Sequence, residues 1–178
     1  MIFSTCVTAN KRNEINTINK IHFCSNTCLP NRTPRKPALM IILIADDDAD
    51  NRMFLEQAMR QNGYDRKILF VEDGEELMEY LRRQGRYNES NAPWPNMLIL
   101  DLNMPRKNGF QALSEIKSDS ELRRLPVIVM TTSSADEDII RAYNLGVNSF
   151  VAKPFNFIRL VEMVDTLRTY WLDTVKLL

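Results

Sequence analysis

The sequence predicts an α/β fold, a five-stranded parallel sheet doubly wound by five helices as (βα)5. Three observations point there. Five short strand-like runs, Leu39–Ala45, Lys67–Val71, Met97–Asp101, Pro126–Met130 and Ser149–Ala152, recur along the chain. Several are apolar almost throughout rather than alternating, as strands buried on both faces must be. Between them lie segments with helical spacing and recognisable caps, and strands that alternate with helices imply right-handed crossovers and a parallel sheet.

The first strand, Leu39–Ala45, runs into Asp46-Asp47-Asp48. A helix over Asp50–Gln61 follows, with Met53, Phe54, Ala58 and Met59 expected inward and Gly63 ending it. After the second strand, Lys67–Val71, Asp73 caps a helix over Glu75–Gln84. Gly85–Asn96, with Pro93 and Pro95, reads as a long polar loop. The third strand, Met97–Asp101, leads to a helix over Gly109–Lys117. Pro126–Met130 is the fourth strand, and Ala135–Leu145 a helix stopped by Gly146. Ser149–Ala152 is the fifth, and Asn156 caps a final helix expected to run to about Thr174.

At 178 residues the chain can bury one sizeable core. Its net charge is zero but uneven: residues 1–38 hold six bases and one acid, leaving 17 bases against 22 acids in the rest. A mildly acidic body gives no support to direct DNA binding, and no apolar stretch approaches the roughly 18 residues of a membrane span. All three cysteines (Cys6, Cys24, Cys28) and the single histidine, His22, lie in that first segment. Their spacing matches no tight zinc knuckle. A thiol-free body suits a reducing cytoplasm. Residues 1–38 show no useful period and end in a proline-rich, basic stretch, so they are expected to form a disordered extension. Met40 stands at the start of the first strand's apolar run, which suggests a natural start there and an extension that is not native.

Parallel sheets bind ligands outside the carboxyl ends of their strands, where strand order reverses. In the flavodoxin-like order 2-1-3-4-5 that point lies between the first and third strands. It brings Asp46 and Asp47 beside Asp101, with Lys153 reaching in after the fifth strand. Three carboxylates and one lysine leave a residual charge of about −2, and neighbouring carboxylates need a cation. Oxygen-only ligands and no histidine or cysteine suit Mg²⁺ and disfavour zinc. A helix cap would account for one of Asp46–Asp48, not for all three.

These residues resemble the receiver domain of two-component response regulators over about residues 40–178. The resemblance rests on Ala45-Asp46-Asp47-Asp48, on Leu100-Asp101-Leu102-Asn103-Met104-Pro105 with Gly109, on Val129-Met130-Thr131-Thr132-Ser133, and on Phe150-Val151-Ala152-Lys153-Pro154-Phe155. It implies that residues 39–178 form a receiver domain in which Asp101 accepts a phosphoryl group from a sensor histidine kinase. Asp47 would bind Mg²⁺ directly, Asp46 mainly through water, and Asn103 through its backbone carbonyl. Lys153 and Thr131 would hold phosphoryl oxygens, Phe150 would be the switch aromatic, and the Lys153–Pro154 peptide would be cis. Such a protein is a signalling module that catalyses only its own phosphorylation and dephosphorylation.

No DNA-binding module is expected after the fifth helix, and output is expected by contact with a protein target through the fourth helix, fifth strand and fifth helix. The apolar ending from Tyr170 to Leu178 and the loop from Arg83 resemble single-domain receivers that serve phytochrome-type kinases, and homodimer formation is a further use of such a surface. Three rival readings are weaker. An aspartyl phosphatase needs a second Asp where Asn103 stands. A flavin binder would not place three aspartates at its phosphate loop. A degenerate receiver that only docks would not need every chemical position filled.

Overall fold

The computed structural model describes residues 40–175. The expected disordered extension, its cysteines and His22 lie outside the described residues, as do Lys176, Leu177 and Leu178. Five parallel strands, β1 (Ile41–Ala45), β2 (Lys67–Val71), β3 (Met97–Leu100), β4 (Val127–Thr131) and β5 (Ser149–Ala152), form one sheet in the order β2-β1-β3-β4-β5. Both the fold class and the strand order are those read from the sequence. The helices are α1 (Ala49–Gln61), α2 (Gly74–Arg82), α3 (Gly109–Ser118), α4 (Asp136–Asn144) and α5 (Phe157–Arg168).

The strands are largely apolar because they feed two cores; Lys67, Thr131 and Ser149, each at a strand end, are the polar exceptions. Successive side chains of a strand point to opposite faces. Leu43, Leu98, Leu100, Val127 and Val129 pack with Leu77, Leu81, Leu113 and Ile116 on one side. Ile42, Ile44, Ile99, Ile128 and Met130 pack with Leu55, Ala58, Met59, Val164 and Trp171 on the other.

The helix starts follow from capping chemistry. Asp48 accepts from the backbone nitrogens of Asp50 and Asn51, Asp73 from Glu75 and Glu76, and Asn156 from Arg159. Asn108 and Gln111 form a reciprocal capping box on α3. α4 lacks a side-chain cap, but its first turn carries Asp136, Glu137 and Asp138, which suit the positive end of the helix. The long loop after α2 is anchored by Tyr80, whose hydroxyl donates to the Pro93 carbonyl at 2.6 Å.

Two expectations need correction. Met53 and Phe54 do not face inward; they are 54% and 43% exposed, and the buried stripe of α1 is Leu55, Ala58 and Met59. A spacing of three and then one keeps that stripe on the sheet and turns Met53 and Phe54 to its flank. The final helix is α-helical only to Arg168; Thr169–Thr174 continues with wider π-type turns. Among the described residues, no helix is long and apolar enough to cross a membrane.

Candidate functional site

β1 and β3 end together, and β4 and β5 end together two residues further on, with the polar residues at or just after these ends. Ala45 pairs with Leu100, Leu100 with Val129, and Thr131 with Ala152. The ladder continues one residue further: Asp101 N donates to Ala45 O at 2.9 Å, Asp46 N to Val71 O at 3.1 Å, and Lys153 N to Thr131 O at 2.7 Å. Asp46, Asp101, Thr131 and Lys153 are thereby fixed by the sheet rather than by flexible loops.

Lys153 Nζ lies 2.7 Å from Asp46 Oδ2 and 2.5 Å from Asp101 Oδ2. Both acids are nearly enclosed, at 3% and 6% exposure. Burial pushes the Asp46 carboxyl above the usual range, and the hydrogen bond and charge of Lys153 only partly offset it. Burial works against the Lys153 ammonium too, yet its bonds to Asp101 and Asp46 outweigh this and raise its pKa. Removing one partner from such a buried group leaves an uncompensated charge and typically costs about 3–5 kcal/mol.

The consecutive acids have separate duties. Asp48 is spent on capping α1. Asp46 Oδ1 accepts from the Asp48 backbone N at 3.1 Å, while its other oxygen holds Lys153. Asp47 is exposed. Carboxylate oxygens of Asp46, Asp47 and Asp101 all lie within 4.8 Å of one another. An all-oxygen donor set of this span fits a hard divalent cation such as Mg²⁺.

Asn103 N donates to Asp101 Oδ1 at 3.2 Å, and Asn103 Nδ2 is 3.5 Å from Thr131 Oγ1. Thr131 is fully buried and also accepts from Ser133 N at 3.4 Å. Phe150 stands apart from the charges, partly buried against the first core. Because it pairs with Val129 while Thr131 pairs with Ala152, Phe150 and Thr131 share one face of the sheet. Pro154, with Phe54, Thr132 and Phe155, lines a cavity of about 410 Å³ that opens beside Asp46 and Lys153.

Two contributors are absent from the sequence reading. Arg52 Nη1 donates to the carbonyls of Asp46 (2.7 Å) and Asp47 (3.0 Å), and its Nη2 to Glu72 Oε1 (3.0 Å). A lone arginine on a helix leaves no pattern that separates this role from a solvated surface. Gly74 is the other: a methyl there would collide with the Lys107 carbonyl, to which Gly74 N donates at 3.1 Å. This close approach ties the start of α2 to the loop that follows Asp101, and Arg106 of that loop pairs with the buried Asp73.

A family model described as the response regulator receiver domain matches residues 42–165. The chain is 38% identical over 141 residues to the response regulator Rcp1 of Synechocystis sp., covering 79% of this chain and 94% of Rcp1. The crystal structure of the phosphorylated cyanobacterial phytochrome response regulator RcpA matches with a TM-score of 0.74 and 36% identity, over 79% of this chain and 99% of RcpA. The Mn²⁺-bound form of Rcp1 matches with a TM-score of 0.72 and 36% identity, over 78% and 99% of the two chains.

Proposed function

This chain belongs to the response regulator receiver domain family, and we propose on that premise that it takes a phosphoryl group onto Asp101 from a sensor histidine kinase. The observation that carries the reading is Asp101 itself: a nearly enclosed carboxylate 2.5 Å from a lysine ammonium and within 4.8 Å of two further acids. Asp47 would hold Mg²⁺ directly, Asp46 mainly through water, and Asp101 and the Asn103 backbone carbonyl would complete the protein's share. When bound, Mg²⁺ supplies positive charge to the phosphoryl oxygens.

The remaining chemistry belongs to the side chains. Phosphoryl transfer needs an in-line nucleophile and fixed positive charge, with little other covalent help. An Asp101 carboxylate oxygen forms the new O–P bond as the P–N bond of the donor phosphohistidine breaks, its electron pair leaving with the imidazole. Lys153 exchanges its bond to Asp101 for one to a phosphoryl oxygen. Thr131 turns from its resting partners, Asn103 and Ser133, to donate its hydroxyl to another. That contact exists only in the phosphorylated state and can therefore bias a two-state loop. Phe150, on the same face of the sheet, is the core side chain that would follow Thr131.

Output passes by contact to a protein target through α4, β5 and α5. Exposed Ile140 and Tyr143 on α4, and Ile158 on α5, support a binding face there, which would also serve a homodimer. The similarity to Rcp1 and RcpA favours a phytochrome-type kinase as donor and a protein whose only turnover is its own phosphorylation and dephosphorylation. The test is incubation of the protein with Mg²⁺ and acetyl phosphate, followed by mass spectrometry. Gain of one phosphoryl group, lost in Asp101→Asn and without Mg²⁺, is expected. No gain, or a gain that survives Asp101→Asn, would sink the reading.

A further inference from the structure

We propose that Arg52 is a positioning residue that locks Asp46 and Asp47 into a metal-binding conformation. In an extended strand, successive side chains and successive carbonyls point in opposite directions. Asp46 and Asp47 break both rules. Their carboxylate oxygens reach one cluster with Asp101, and their carbonyls both accept from the same nitrogen of Arg52.

The chain turns from β1 to α1 within three residues. The ladder stops at Asp46, whose nitrogen still bonds to Val71. The part-buried Asp46 carbonyl then needs another donor, because a backbone acceptor taken from water costs free energy when unpaired, and the more exposed Asp47 carbonyl shares that donor. Arg52 is that donor. Its side chain is only 15% exposed, and its second nitrogen is held by Glu72, the residue that follows β2. The guanidinium thus spans from α1 to the end of β2 and grips the turn from the side of its carbonyls. A planar fork can make three such bonds at once; a lysine ammonium on a flexible stem cannot reproduce that geometry.

The two roles open to this arginine predict opposite signs. If it matters only as a positive charge near three carboxylates, removing it tightens cation binding. If it holds the turn, removing it weakens cation binding, because Asp47 must then be ordered by the metal alone. The second is our inference, and it rests on the reading of Asp46, Asp47 and Asp101 as a Mg²⁺ site.

The test is a calorimetric titration of the full chain with MgCl₂, without any phosphodonor, beside thermal melts of the metal-free protein. Arg52→Ala is expected to weaken Mg²⁺ binding by about tenfold, the scale of losses when groups that support metal ligands are removed. Arg52→Lys keeps the charge and should still bind several-fold more weakly, with its metal-free melting temperature within roughly 2 °C of the parent. Arg52→Lys binding like the parent, or Arg52→Ala binding more tightly, overturns the proposal. So does a loss of affinity that merely tracks a lowered melting temperature. If Arg52→Ala fails to fold, Arg52→Lys decides alone. If the parent protein itself binds no Mg²⁺, the metal-site reading fails first, and that result is distinct from a parent that binds and a variant that does not differ.

Discussion

Gly109 lies against the backbone of Asp101 so closely that a methyl group on it would overlap the Asp101 carbonyl oxygen and come within 2.7 Å of the Leu102 Cα. Gly109 N also donates to Leu102 O at 2.9 Å. The first residue of α3 is therefore the floor on which the carboxylate's loop rests. Gly109→Ala should destabilise the protein by roughly 1–3 kcal/mol, the usual cost of overpacking. It should also slow labelling of Asp101 by acetyl phosphate. Urea denaturation checks the first effect, and unchanged stability would mean the loop can yield.

Lys153→Met should destabilise the protein by about 3 kcal/mol at neutral pH. The loss should grow as pH rises. Asp46 already has a raised pKa through burial, opposed by Lys153. A carboxyl that holds its proton more tightly when folded contributes stability below its unfolded pKa and loses it as pH climbs through its folded pKa. Without the ammonium that folded pKa moves further up, so the decline extends to higher pH. Denaturant midpoints between about pH 4 and pH 8 measure this; parallel curves for parent and variant would contradict it.

The three consecutive acids should separate cleanly. Asp48→Ala removes the cap of α1 and should cost about 1 kcal/mol, with Mg²⁺ affinity unchanged. Asp47→Asn should leave stability nearly intact and weaken Mg²⁺ binding. Paired chemical denaturation and calorimetry would expose any exchange of roles.

Neighbouring positions on α1 should differ sharply as well. Leu55→Ala should cost about 2–5 kcal/mol as a buried truncation. Phe54→Ser, which loses a half-exposed ring and its contact with Phe157, should cost only about 0.5–1.5 kcal/mol. Equal losses would place Phe54 in the core after all.

This last contrast marks where the sequence ceased to be legible. The strands were readable because they carry side chains for both cores and so are largely apolar; their order followed from the flavodoxin-like topology such strands alternating with helices adopt. Asp46, Asp101, Thr131 and Lys153 were readable because each abuts or ends such a run. Met53 and Phe54 were misread because two adjacent large apolar residues look like core. The deciding quantity is the angle of Leu55, Ala58 and Met59 to the sheet, which exists only once α1 has docked. The switch to wider turns after Arg168 left no residue signature either. Arg52 was missed for a different reason. Two of its three partners are main-chain carbonyls, and carbonyls carry no sequence identity.

Lys153 joins partners 52 and 107 residues earlier in the chain. A ribosome therefore releases Asp46 and Asp101 long before it releases the ammonium that offsets their charge. Until β5 zips onto β4, the two carboxylates have only solvent to share. On the proposed reading, readiness to take a phosphoryl group would depend on a chain synthesised and folded through β5.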